Sequence, residues 1–317
     1  MKLLTNVKQT IRSARLLTRK NCISYTAENR EASNLIAQTI RSKKPSSIVR
    51  FGGIELDAFF QIHFENKSFP TKLIRYHQYV LSYMNNEQKV LKRFGNNAGF
   101  FPSKREFVKK YHDLILKILP DIDILGSWEF LEAKENYLYK SYFPNAKIIP
   151  AVDLEPYYND PPWSRALEDA NVLVIHPFAD SIREQYLNRT CIFPGKDILP
   201  RFNLTTIKAV QSIAQANVPF TSWFEALEHM KKQIESIQFD VAIIGCGAYS
   251  IPLANHVKKV GKVSIQLGGS TQILFGIKGK RWENHPIISK FFNKHWVYPS
   301  PEETPQNAKS VEEGCYW

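Results

Sequence analysis

The sequence predicts an α/β protein with a Rossmann-like, mainly parallel sheet and flanking helices, joined to a helical N-terminal and middle region. Two observations carry that expectation. Short apolar, β-rich runs alternate with stretches of helical spacing, the order that βαβ units produce. Several of these runs also end in a sharp corner, two of them in glycines that open into the next helix, as a parallel strand does where it turns back over its sheet.

Taken in order, residues 1–45 read as a basic, amphipathic helical leader and 46–317 as the α/β domain. On a helical wheel Leu4, Val7, Ile11, Ala14 and Leu17 form a stripe with Lys8, Arg12, Arg15 and Arg19 beside it. That pattern suits an anionic membrane surface or docking on the protein's own domain. A helix is expected over 28–41, and a strand over 46–51 that runs into Gly52-Gly53, with helical spacing resuming over 54–63. The stretch 76–119 is basic and mostly helical, with a loop expected at 95–102. Residues 122–126 form a short strand and 128–139 a helix, followed by an irregular Pro- and Tyr-rich connection over 144–162.

Residues 171–175 read as a buried strand ending at His176-Pro177-Phe178, with a helix over 180–188. A further helix over 223–237 leads into the most regular unit of the chain: strand 241–244, Gly245-Cys246-Gly247, helix 248–259, and a strand over 263–267 closed by Gly268-Gly269. The end, Cys315-Tyr316-Trp317, is aromatic enough to expect docking on the body.

The 317 residues, 44% of them hydrophobic, suffice for a full α/β core. The formal charge of +12 points to an anionic partner: nucleic acid, acidic lipid or a phosphorylated ligand. The four cysteines are widely spaced without a C-x-x-C pair, which indicates neither a zinc site nor a disulfide framework and fits a reducing cytoplasm. The first twenty residues lack a secretory h-region, and no run approaches the roughly 20 apolar residues of a membrane span. A soluble or peripheral cytoplasmic protein is expected, and no nucleic-acid partner, since no recognised nucleic-acid motif accompanies the charge.

In an open parallel sheet the strand ends converge on one edge, where ligands bind. Three corners supply the candidates. Arg50 is placed to neutralise a diphosphate or to form an ion pair at a strand end, and Gly52 and Gly53 to admit phosphate at the start of a helix. Glu55 is the sharpest acid, set to hold a metal or a sugar hydroxyl, or only to complement the helix dipole. Asp57 points to another helix face. At the second corner His176 is a candidate base or phosphate donor, or a satisfied core histidine, and Ser181 and Arg183 sit in the first turn of the next helix. The third corner offers Gly245, Gly247, Ala248 and Tyr249, together with Gly268, Gly269 and Gln272. Gly245-Cys246-Gly247 lacks the third glycine of a dinucleotide fingerprint, and Gln266 stands near the place of its ribose-binding carboxylate. Lys278, Lys280 and Arg281 form a basic run nearby.

SIVRFGGIEL (47–56), VLVIHPFADSIREQY (172–186), FDVAIIGCGAY (239–249) and GKVSIQLGGSTQILFGIKGKRW (261–282) together resemble the bacterial GT-D fold glycosyltransferases of surface-polysaccharide gene clusters, as does the ending VEEGCYW. The resemblance implies a nucleotide-diphosphate sugar donor, a lipid-linked or glycan acceptor in capsule, O-antigen or lipopolysaccharide assembly, and a divalent metal, Mn²⁺ or Mg²⁺. It places Glu55 on the glutamate of the family's R-F-G-D-G-E block, with Gly53 where the aspartate stands, which weakens the metal expectation. Ser270-Thr271-Gln272 occupies the place of the family's histidine and acids, so the inherited base is missing. Arg50, Arg183, Lys278 and Lys280 are expected to offset diphosphate charge in part. Two other readings are a Rossmann oxidoreductase or methyltransferase using Gly245-Cys246-Gly247, and a non-catalytic basic protein binding membrane or nucleic acid.

Overall fold

The computed structural model describes residues 23–63 and 87–317. The amphipathic stripe of residues 4–17, the basic residues beside it and Cys22 lie outside the described residues. Seven strands form one all-parallel sheet: β1 (Ser46–Arg50), β2 (Ile124–Ser127), β3 (Lys147–Pro150), β4 (Asn171–His176), β5 (Asn203–Lys208), β6 (Val241–Ile244) and β7 (Val263–Gln266). Their spatial order is β3-β2-β1-β7-β6-β4-β5.

Both faces of the sheet are covered, and the pleat assigns alternate residues to each. Val49, Leu125, Leu173, Ile175, Ala242 and Ile244 enter one core, with residues from helices Gly53–His63, Glu87–Ala98, Arg105–Ile118, Trp223–Glu235 and Ser250–Lys259. Ile48, Ile124, Val172, Val174, Ile243 and Ile265 enter the other, with helices Asn29–Ser42, Ala179–Leu187 and Ser270–Leu274. The helix over Asn29–Ser42 therefore packs on the sheet, through Ala32, Ile36, Ala37 and Ile40.

Strand ends and helix sides locate the working edge. β1 and β7 are paired neighbours, yet the helix that follows β1 lies on the first core and the helix that follows β7 lies on the second. The chain parts at that point and opens a crevice beyond the carboxyl ends of the two strands. A second parting separates β6, whose next helix is on the first core, from β4, whose next helix is on the second.

The structure departs from the sequence pattern at four places. Strand β3 falls where irregular chain was expected, β5 lies in a stretch for which no element was expected, and Ser270–Leu274 adds a helical turn after the second pair of glycines. The expected loop at 95–102 starts only at Gly99, because helix Glu87–Ala98 continues through Gly95-Asn96-Asn97. A Cβ on Gly95 would lie 3.1 Å from the Phe100 carbonyl oxygen, so tight packing against the following turn overrides the weak helix propensity of that tripeptide.

Candidate functional site

A cleft of ≈ 780 Å³ lies at the carboxyl edge of β1, β7, β6 and β4. Gly245, directly after β6, is its most crowded point. A Cβ there would meet the Gly268 carbonyl oxygen, Thr271 Oγ1 at 2.5 Å and His176 Cδ2 at 2.8 Å. The ends of β4, β6 and β7 thus converge on one hydrogen atom's worth of space, and only glycine fits.

His176 closes β4 and is buried. Its Nδ1 accepts the Phe178 backbone N–H at 3.0 Å, which assigns the ring proton to Nε2. Burial pushes its pKa down to about 3, so the imidazole is neutral and presents a donor rather than a base. Cys246 is also buried, and burial raises its thiol to about 12, which leaves it inert as a nucleophile. Tyr249 stacks on Trp223, with ring centroids 4.9 Å apart, and its hydroxyl meets Ser212 Oγ at 3.1 Å.

Arg50 ends β1 inside a buried network. Its Nη1 donates to Glu155 Oε1 at 3.0 Å, Nη2 donates to the Leu267 carbonyl and to Ser270 Oγ at 3.3 Å, and its backbone N–H donates to Gln266 Oε1 at 3.1 Å. Glu155 also accepts from Ser270 Oγ at 2.6 Å and from the Tyr157 hydroxyl. Arg50 still lines the cleft, with its guanidinium carbon 5.1 Å from the Trp128 ring centroid.

Glu55 lies in the first turn of helix Gly53–His63. Its carboxylate folds back over Gly52, where a Cβ would lie 2.7 Å from the carboxyl carbon, and accepts its own backbone N–H. Burial raises its pKa, the backbone N–H opposes that, and Asp57 and Glu312 add to the rise. Asp57 is engaged elsewhere, by Lys134 at 2.5 Å and Arg93 at 3.8 Å.

The far wall comes from the end of the chain. Arg281 pairs with Glu312, and its guanidinium carbon lies 4.8 Å from the Tyr316 ring centroid. Gln272 Nε2 donates to the carbonyls of Lys278 at 2.9 Å and Tyr316 at 3.1 Å, and the Arg281 N–H donates to the Cys315 carbonyl at 3.1 Å. The aromatic end is docked, as expected, and it forms part of the cleft.

Of the residues singled out in the sequence, Arg50, Gly52, Gly53, Glu55, His176, Gly245, Gly247, Tyr249, Gly268, Gly269 and Gln272 line this cleft together. Ala248 is buried in the turn behind it. Ser181 and Arg183 are elsewhere. Glu303 accepts the Asp180 N–H at 2.8 Å and the Ser181 hydroxyl, so an internal carboxylate already caps the helix end expected to bind an anion. Arg183 is exposed and paired with Asp180 and Thr206. Lys278 lies over the Phe292 and Tyr298 rings and Lys280 beside Glu313, leaving Arg281 as the member of that basic run in the cleft. Sequence reasoning missed Arg93, Trp128, Phe130, Lys134, Glu155 and Glu312.

The donor set suits a resident divalent ion poorly. Among the described residues no three His, Cys, Asp or Glu side chains gather to hold a metal, and the acids beside Glu55 are engaged by Lys134, Arg93 and Arg281. The arrangement instead offers backbone N–H groups at a helix start, a neutral histidine donor and paired cations, which is the chemistry of anion binding. Among the described residues no helix is long and apolar enough to cross a membrane.

No curated protein and no solved structure matches the chain. Residues 158–274 match the GT-D fold-like domain, a span that contains β4 to β7 and two of the three corners that line the cleft. That match spans less than half of the chain, and together with an all-parallel sheet that has helices on both faces it supports a GT-D-like fold.

Proposed function

We propose that the protein is a glycosyltransferase that takes a nucleotide-diphosphate sugar and transfers the sugar to a lipid-linked or glycan acceptor during capsule, O-antigen or other surface-polysaccharide assembly. Its place is the cytoplasm, with peripheral contact at the inner face of an anionic membrane. The observation that carries this reading is the crevice between β1 and β7, where Gly52-Gly53 and Gly268-Gly269 face one another across a parting in a GT-D-type sheet. A diphosphate fits the first-turn N–H groups of helix Gly53–His63, with His176 Nε2–H as a further donor.

In the transfer, the bond from the anomeric carbon to the diphosphate oxygen breaks and a bond to the acceptor hydroxyl oxygen forms. The nucleoside diphosphate leaves with the electron pair, and the acceptor proton passes to a base. Glu55 is assigned that role, because it faces the cleft and burial raises its proton affinity. Leaving-group charge is met by the helix N–H groups and by Arg50 and Arg281. No step needs a metal held by the protein.

The test is a thermal-shift and donor-hydrolysis panel of nucleotide sugars, NAD(P) and S-adenosylmethionine, with and without Mn²⁺. Stabilisation and turnover by a nucleotide sugar, retained in EDTA, are expected. Stabilisation only by NAD(P) or S-adenosylmethionine would replace this reading with a Rossmann oxidoreductase or methyltransferase.

A further inference from the structure

β2 ends at Ser127, and Trp128 with the turn Glu129–Leu131 that follows forms an aromatic lip. Phe130 is 75% exposed, and of the exposed large hydrophobic side chains among the described residues it alone lines the cleft. Its ring stands 5.6 Å from that of Trp128, tilted by 35°. The lip is firmly based. Glu135, fully buried, accepts the Ser127 hydroxyl at 2.6 Å and the Trp128 N–H at 3.1 Å.

An exposed ring costs hydration unless something covers it, and its position says what does. Neighbouring strands lie about 4.8 Å apart. The end of β2 is therefore one strand from the Gly52-Gly53 corner and about 10 Å from Gly268-Gly269. With a diphosphate in the crevice, one ribose bridges that distance. An apolar side chain lies between: a Cβ on Gly53 would lie 3.6 Å from Leu131 Cδ2. A flat, apolar-faced ring fits such a surface, whereas a hydroxylated sugar would leave its polar groups unpaired there.

We propose that Phe130, set beside Trp128, is the stacking platform for the nucleobase of the donor. The inference rests on the donor reading above and adds which end of the cleft takes the nucleoside: the sugar then lies on the opposite side of the crevice, toward Glu312 and Tyr316. Stacking on an aromatic face tolerates any base, so the lip supplies affinity, and choice among bases falls to polar groups around it.

Isothermal titration of the full chain with UMP, CMP, AMP and GMP, and with ribose 5-phosphate as the ligand without a base, tests this in wild type, Phe130→Ala and Phe130→Tyr. For the nucleotides that bind, Kd is expected to rise on the order of tenfold in Phe130→Ala. Phe130→Tyr keeps the ring and should bind like wild type, and ribose 5-phosphate should not distinguish the three. Equal nucleotide affinity in wild type and Phe130→Ala overturns the platform and leaves the donor reading standing. Failure of every nucleotide to bind wild type overturns the donor reading itself, and the platform with it. Because Phe130 is exposed, its replacement leaves the fold intact.

Discussion

The guanidinium of Arg50 and the carboxylate of Glu155 form a buried ion pair at 3.0 Å, across 105 residues of sequence. Arg50 read from the sequence as a free cation for a diphosphate, or as half of an ion pair, and the structure gives it the partner without removing it from the cleft wall. Removing one member of a buried pair strands the other charge. Glu155→Ala is therefore expected to destabilise the protein by about 3 kcal/mol. Tyr157→Phe, which removes one neutral donor to Glu155, should cost only about 1 kcal/mol. Urea unfolding of the two variants checks the order. Equal, small losses would mean that the pair is not desolvated in solution.

Glu55 occupies, with its own carboxylate, the anion position at the start of its helix. A diphosphate bound at the same N–H groups must displace it. Glu55→Gln removes the competing charge, so inorganic pyrophosphate should bind more tightly, by about three- to tenfold. Turnover of the donor should fall, because the proposed proton acceptor is gone. Calorimetry with pyrophosphate and a transfer assay read the two effects separately. Weaker pyrophosphate binding in Glu55→Gln would show that Glu55 helps to hold the phosphates, as a shared metal would require.

Gly245 sits where the ends of β4, β6 and β7 meet. A methyl group there meets the Gly268 carbonyl, and neither that backbone nor the Thr271 side chain, buried on its short helix, has room to yield. Gly245→Ala is expected to cost about 1 to 3 kcal/mol of stability through overpacking. It should also spread the crevice between β6 and β7, so nucleotide binding falls even where the variant is folded. Unfolding midpoints and titration with the best nucleotide provide the check, and unchanged binding in a folded variant would refute the convergence.

The central strands were legible because burial on both faces writes them as continuous apolar runs, as in Val241-Ala242-Ile243-Ile244. β3 and β5 were not, since both are edge strands. β5 alternates polar residues with half-exposed ones, and β3 has four residues ending in Pro150. The site divides along the same line. Corners that follow a readable strand were found, including Gly52, His176 and Gly245. Ser181 was lost to Glu303, a carboxylate 122 residues away that no local pattern could reveal. Trp128 was the avoidable miss: it follows Ile124-Leu125-Gly126-Ser127 at a further strand end, which lacked the glycine that marked the corners at Gly52 and Gly245.

His176 gives the protein a pH dependence whose sign follows from its burial. The folded pKa, about 3, lies below the ordinary value of 6.5, so between these the unfolded chain binds a proton that the folded one refuses. The group costs nothing above pH 6.5, and stability falls as pH drops from there toward 3, by on the order of 1 kcal/mol per pH unit. His176→Asn keeps an acceptor for the Phe178 N–H and does not titrate. Its stability relative to wild type should therefore improve steadily between pH 6.5 and 4, as measured by urea unfolding at each pH. A constant difference over that range would mean that the imidazole is protonated in the folded protein, and its Nδ1 could then not accept from Phe178.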